Sequence, residues 1–361
     1  MSVRTMRRAS TVALAAVAAL TLAACSSSES SEETTEEATA AATTEAAAGF
    51  PTTITHAFGD VTIEEEPQRI VTLGSREHEL LYSLGVAPYA ILESWQGYEH
   101  GTGPWAEEDR VAADADPILI PQGELNLELI ASYEPDLIIN TYPQAAVDQA
   151  TYDSLSQIAP TIVRQADYVE WGMPLDVELE MIGQAVGKSD VAEEVVSDLD
   201  AEYAAIREAN PEWQDKAGIV AFYYDGNPGA YDSTDNRNQL LENLGLDTSA
   251  LDDQLGDSFY IQISAENLDM FDAFDTILWQ TATTGEVQST IEGLPLFPSL
   301  SVTETGGHVW ITDPTLEGAF FANSPSSIQY SLEALVPQLE AALDGDPATE
   351  VPSYSDPASA S

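Results

Sequence analysis

Residues Ser189–Asn210, SDVAEEVVSDLDAEYAAIREAN, decide how the rest of the chain is read. Val191, Val195, Leu199, Tyr203 and Ile206 recur at steps of three and four, so at 3.6 residues per turn they share one face of a helix. Ser189 and Asp190 are good N-cap types, and Asn210-Pro211 closes the run. The spacing predicts a long amphipathic helix. On either side of it the chain echoes itself: Leu125–Asn140 reads LNLELIASYEPDLIIN and Ile263–Gln280 reads ISAENLDMFDAFDTILWQ. Each segment carries a Glu-led helical turn, an Asp and a short apolar strand. The expected fold is α/β, with two related α/β lobes joined by a long helix. The alternative left open is that the echo is two unrelated helix-to-strand joints of a kind common in α/β proteins.

The ends of the chain read differently from its middle. A basic start with Arg4, Arg7 and Arg8, an alanine-rich apolar run and Leu22-Ala23-Ala24-Cys25 mark an export signal over residues 1–24. The single cysteine at the cut resembles a bacterial lipobox, with Cys25 taking the lipid and becoming the mature N-terminus. Residues 25–49 are Ser, Thr, Glu and Ala almost throughout and are expected to be a flexible acidic tether. Residues 50–187 and 212–344 are the expected lobes, 188–211 the connecting helix, and 345–361 a disordered tail. The expected location is the outer face of a bacterial plasma membrane, reached through the lipid anchor, with the chain acting as a monomer.

With 62 Asp and Glu against 11 Lys and Arg the formal charge is −51, so nucleic acid is excluded as a partner: phosphate contacts need clustered basic residues that this chain lacks. Gly-x-Ser-x-Gly, P-loop and His-Glu-x-x-His motifs do not occur, and His56, His78, His100 and His308 are not spaced as metal ligands. The chain therefore reads as a binding protein without catalytic or metal-ligating residues. A membrane-tethered hydrolase is the remote alternative.

Within the first lobe, Arg69–Leu73, a Gly74-Ser75-Arg76 turn, a helix over Glu77–Leu84 stopped by Gly85 and a strand near Tyr89–Leu92 make a βαβ unit. In open α/β sheets, ligands bind beyond the carboxyl ends of such strands. Trp95 and Trp105 fall in the stretch SWQGYEHGTGPWAEEDR, which reads as a loop. Tyr142 follows the strand ending at Asn140, and Tyr168 and Trp171 follow the one ending at Arg164. In the second lobe, Tyr224 ends a strand beginning at Ala217. Tyr231 sits in the loop DGNPGAYDSTDN, Arg237 opens the next helix, and Trp279 lies in the strand Thr276–Gln280. Arg76 and Arg237 stand at matching strand-to-helix handovers, where backbone N–H groups favour an anion. The expected ligand-binding set is Arg76, Trp95, Trp105, Tyr142, Tyr224, Tyr231, Arg237 and Trp279. Phe320 and Phe321 read as loop residues that border the cleft or plug the core.

PQRIVTL at Pro67–Leu73, ELLYSLGV at Glu79–Val86, LELIASYEPDLII at Leu127–Ile139 and LSQIAPTIV at Leu155–Val163 resemble the periplasmic-binding-protein family for ferric siderophores, haem and cobalamin. IGQAVGK at Ile182–Lys188, GDSFY at Gly256–Tyr260 and ISAE at Ile263–Glu266 continue the likeness in the same order. The resemblance implies two α/β lobes joined by a long rigid helix with a ligand cleft between the lobes, in an extracytoplasmic receptor that delivers a ferric siderophore to the permease subunits of an ABC importer. It implies no cofactor, the iron being held by the chelator. A haem or cobalamin receptor of the same fold is the alternative. In that family a glutamate in each lobe pairs with arginines of the permease, and Glu128 and Glu266 match those positions.

Overall fold

The computed structural model describes residues 49–94, 96–256, 258–281 and 286–354. An antiparallel hairpin opens it, β1 (Thr52–His56) with β2 (Gly59–Ile63), turning at Ala57 and Phe58. The first five-stranded sheet contains β3 (Ile70–Thr72), β4 (Ala90–Leu92), β5 (Ile118–Ile120), β6 (Leu137–Asn140) and β7 (Thr161–Val163) in the order β5-β4-β3-β6-β7. All of its pairings are parallel. Its central strands are buried on both faces, which is why they read as unbroken apolar runs.

The second sheet comprises β8 (Gly218–Tyr224), β9 (Asn227–Tyr231), β10 (Tyr260–Gln262), β11 (Thr276–Gln280) and β12 (His308–Ile311), in the order β10-β9-β8-β11-β12. Strands β8, β11 and β12 run parallel, while β9 pairs antiparallel with both β8 and β10. The stretch expected as a loop after Tyr224 is thus a hairpin. Its turn residues Asp225 and Gly226 have φ of 49° and 84°, and Asp-Gly is the sequence signal of such a two-residue turn.

The internal echo has a physical basis. Asp136, just before β6, accepts from the backbone N–H of Gln68 and Arg69 at 2.7 and 2.8 Å. Asp275, just before β11, accepts from the N–H of Ala217 at 2.9 Å and from Lys216 Nζ at 2.9 Å. In each lobe the carboxylate ties the entry of one strand to the entry of its neighbour.

The connecting helix spans Ser189–Ala209. Lys188 holds the N-cap position without a side-chain cap, so the expected caps Ser189 and Asp190 are instead its first two residues. Ala192 is buried in the core of the first lobe with Val191, Val195 and Val196 packed against it, whereas Leu199 and Tyr203 belong to the core of the second lobe, joined by Ile206. One apolar face thus serves two cores, each large buried side chain contributing about 1.5–3 kcal/mol.

Three expectations about local structure are corrected. Residues Pro104–Ala106 and Glu107–Ala112 are helical, in a stretch read as loop. Phe320 and Phe321 lie on the helix Pro314–Ala322. The tail expected from residue 345 is packed as far as Tyr354: Val351 and Tyr354 lie against the second core, and Tyr354 meets Tyr330 at 5.8 Å between ring centroids.

Candidate functional site: the cleft between the lobes

In the first sheet the strand order reverses between β3 and β6, so the loops leaving these two strands diverge and open a crevice. They stay joined at their roots, where Ser75 N–H donates to the Tyr142 carbonyl at 2.9 Å. Ser75 and Tyr142 thereby face the second lobe, which contributes Tyr231 from the end of β9, Arg237 from the first turn of the helix Asn236–Asn243, Phe259 and Phe321. Trp171, on the segment leading back to the connecting helix, closes one side. The cavity so formed has a volume of about 430 Å³.

Its wall is aromatic. Trp171 and Phe259 come from opposite lobes and lie 5.2 Å apart between centroids. The Trp171 indole donates to the Pro143 carbonyl at 2.8 Å, and its backbone sits at φ 63°, a left-handed conformation uncommon for a bulky residue. Burial raises the pKa of the Tyr142 and Tyr231 phenols above their ordinary value, so both remain neutral. Arg237 lies flat over the Tyr231 ring at 3.5 Å. Its Nε and Nη2 each donate to Asp235 at 2.7 Å in a bidentate pair, and Nη1 donates to Gln280 Oε1 at 3.2 Å. Burial opposes the Arg237 charge, but Asp235 together with the neighbouring Tyr231 and Tyr142 outweighs it and the net shift is upward.

Beneath the wall is a buried charged network. Arg76, expected in the ligand-binding set, is completely buried: its guanidinium pairs with Glu178, also fully buried, through Nη2 and, at 2.8 Å, through Nε. It also donates to the Asn323 carbonyl of the other lobe at 3.2 Å and stacks 4.2 Å from the Tyr142 ring centre. Arg76 therefore braces the aromatic wall from behind and does not reach the cleft. Thr141 Oγ1 donates to Glu178 at 2.6 Å, and Tyr142 N–H donates to Glu77 at 2.8 Å. Desolvation first, and then the nearby Glu178 charge, push the Glu77 pKa up to about 7. Gly74 is required here because a Cβ on it would collide with the Glu77 carboxylate.

The other expected residues divide. Tyr142, Tyr231 and Arg237 come together in the cleft. Trp105 does not join them: its indole donates to the buried Glu79 at 2.9 Å and packs edge-on to Tyr98. Tyr224 is 70 % exposed at the β8–β9 turn, because the hairpin carries it outward. Trp279 is a core residue, fully buried, whose indole donates to His308 Nδ1 at 3.1 Å. Trp95 and Cys25 lie outside the described residues. Glu128 and Glu266 are exposed in the first turns of the helices Leu127–Ser132 and Ala265–Ala273. Phe320 is buried in the second core while Phe321 lines the cleft, so the adjacent pair does both of the things its sequence allowed. Phe259 was not legible as a wall residue; its only signal was its place in the GDSFY motif.

The family described as periplasmic binding protein matches residues 70–314, well over half of the chain, and the chain belongs to that family. It is 28 % identical over 195 residues to the probable siderophore-binding lipoprotein YfiY of Bacillus subtilis, a match covering 54 % of this chain and 56 % of that protein. It is 27 % identical to the ferric enterobactin-binding periplasmic protein FepB of Escherichia coli, covering 62 % of this chain and 72 % of that one. The chain thus spans little more than half the length of the first of these relatives. Among solved structures, a periplasmic solute binding protein from Mycobacterium smegmatis superposes with a TM-score of 0.68 at 28 % identity, over 81 % of this chain and 98 % of that one. PiaA of Streptococcus pneumoniae in complex with ferrichrome superposes at 0.70 with 23 % identity, over 81 % and 99 %, a likeness of fold.

Proposed function

We propose that this chain is the extracytoplasmic receptor of an ABC importer and captures a ferric siderophore whole, with the iron held by the chelator. The observation that carries this reading is the cleft wall, five aromatic rings from both lobes around neutral phenols and one charge-matched arginine. Such a surface grips a bulky chelate by shape and stacking. Among the described residues of the wall there is one carboxylate, Asp235, and Arg237 engages it. The names of the relatives in Bacillus subtilis and Escherichia coli support the same ligand class. In this reading Cys25 carries the lipid, residues 25–49 tether the lobes to the membrane, and Glu128 and Glu266 register one lobe each on the permease.

Titration of intrinsic tryptophan fluorescence with ferric chelates, a bare ferric salt, haem and cobalamin tests it, Trp171 being the reporter in the wall. Saturable quenching at low concentration by at least one chelate is expected. Quenching by the bare salt equal to that by every chelate, or tighter binding of haem or cobalamin, would overturn it.

A further inference from the structure

The described side chains that line the cleft carry no net charge. Arg237 is the one basic side chain among the described residues that line it, and the one acidic side chain there is its partner Asp235. Both are almost fully buried, 12 % and 2 % exposed, and both carboxylate oxygens are engaged by the guanidinium. Asp235 is held in place as the N-cap of the helix Asn236–Asn243, accepting from Arg237 N–H at 3.0 Å, so it cannot turn away without uncapping that helix. The other arginine near the wall, Arg76, is neutralised by Glu178 behind Tyr142. A trianionic chelate entering this cleft would lose its hydration and find no unmatched cation. A neutral or cationic chelate would lose less and keep the aromatic contacts, and a cation gains from the ring faces.

We propose that the cleft selects ferric chelates of zero or positive net charge, the trihydroxamate class, against anionic catecholate and carboxylate chelates, and that the selecting residue is Asp235, which holds Arg237 charge-matched. This rests on the proposed function and specifies its ligand. The net charge of −51 also repels anions at a distance, but that contribution is screened by salt whereas a buried pair is not.

The test is a fluorescence titration of the exported chain, wild type and Asp235→Asn, with ferrichrome (neutral), ferrioxamine B (cationic), ferric citrate and a ferric tricatecholate (both anionic), in 0.1 M and again in 1 M salt, where the screening length is about 3 Å. Wild type should bind a hydroxamate chelate at least about ten-fold more tightly than either anionic chelate at both salt concentrations. Asn keeps an oxygen to cap the helix but frees the Arg237 charge, so the variant should gain about ten-fold for the anionic chelates and narrow the gap. Equal or tighter wild-type binding of an anionic chelate would overturn the proposal, as would a preference that vanishes in 1 M salt. A folded Asp235→Asn variant with unchanged ratios would overturn the role of Asp235; if the variant does not fold, the wild-type series decides alone. Failure of all four chelates to bind would instead remove the proposed function, and this inference with it.

Discussion

The Ser324 hydroxyl of the second lobe donates a hydrogen bond to the Glu79 carboxylate of the first. The same carboxylate, 4 % exposed, accepts from Thr102 Oγ1 at 2.6 Å and Trp105 Nε1 at 2.9 Å. Ser324 also caps the long helix Pro325–Ala342, so the start of that helix is pinned to the other lobe. Glu79→Ala would leave two buried donors, the Thr102 and Ser324 hydroxyls, and the half-buried Trp105 indole without this acceptor, each buried one costing roughly 1–3 kcal/mol. Urea unfolding should show a loss of about 3 kcal/mol or more, and a smaller loss for Glu79→Gln, which keeps an acceptor. Equal stability of wild type and Glu79→Ala would mean that the contact does not hold the lobes.

Arg76 gives the second prediction. Removing one partner of a buried ion pair strands the other, at a cost of roughly 3–5 kcal/mol. Arg76→Ala should therefore lower the melting temperature by roughly 5–10 °C. A residue that merely touched ligand would leave the melting temperature of the unliganded protein unmoved, so a thermal melt without chelate separates the two roles.

Stability against pH should reveal two opposing groups. Burial and Glu178 raise the Glu77 pKa from 4.5 to about 7, so the folded state holds a proton that the unfolded state releases; this contribution is complete below pH 4.5 and is lost as pH rises through 7. Burial lowers the His308 pKa from 6.5 to about 4, and its Nδ1 accepts the Trp279 indole proton; that contribution is complete above pH 6.5 and is lost as pH falls through 4. Each is worth on the order of 3 kcal/mol across its window, with opposite sign. Glu77→Gln should remove the fall between pH 4.5 and 7 and leave a profile that rises with pH. Denaturant unfolding at several pH values checks it, and an unaltered slope in the variant would show that Glu77 is not the group responsible.

Trp171 combines a wall contact with a left-handed backbone. Trp171→Gly relieves roughly 1–3 kcal/mol of backbone strain while it removes the indole and its contact with Phe259. Affinity for the chelate should fall about ten-fold or more with little net change in stability. Unchanged affinity in the folded variant would place the ligand elsewhere.

Docking on the permease is tested by Glu128→Ala with Glu266→Ala. Both side chains are exposed and outside the cleft, so chelate affinity and melting temperature should stay near wild type while uptake in cells falls. Normal uptake at normal expression would assign the two carboxylates to the surface alone.

Periodicity carried much of the architecture. The three- and four-residue apolar steps of Ser189–Ala209, the apolar runs of β3, β6 and β11 and the echoed Asp136 and Asp275 are local patterns, because helix and strand geometry repeat within a few residues. The Asp225-Gly226 turn was equally local and would have revealed β9. Which side chains line the cleft was decided by tertiary structure alone. Arg76 and Arg237 stand at the same kind of strand-to-helix handover, but Glu178, 102 residues from Arg76, drew the first into the interior, while Asp235, two residues from Arg237, left the second at the cleft. Trp105 and Trp279 were taken by Glu79 and His308, buried acceptors at separations of 26 and 29 residues. A buried donor must find an acceptor wherever the fold places one, and that pairing leaves no periodic trace in the chain.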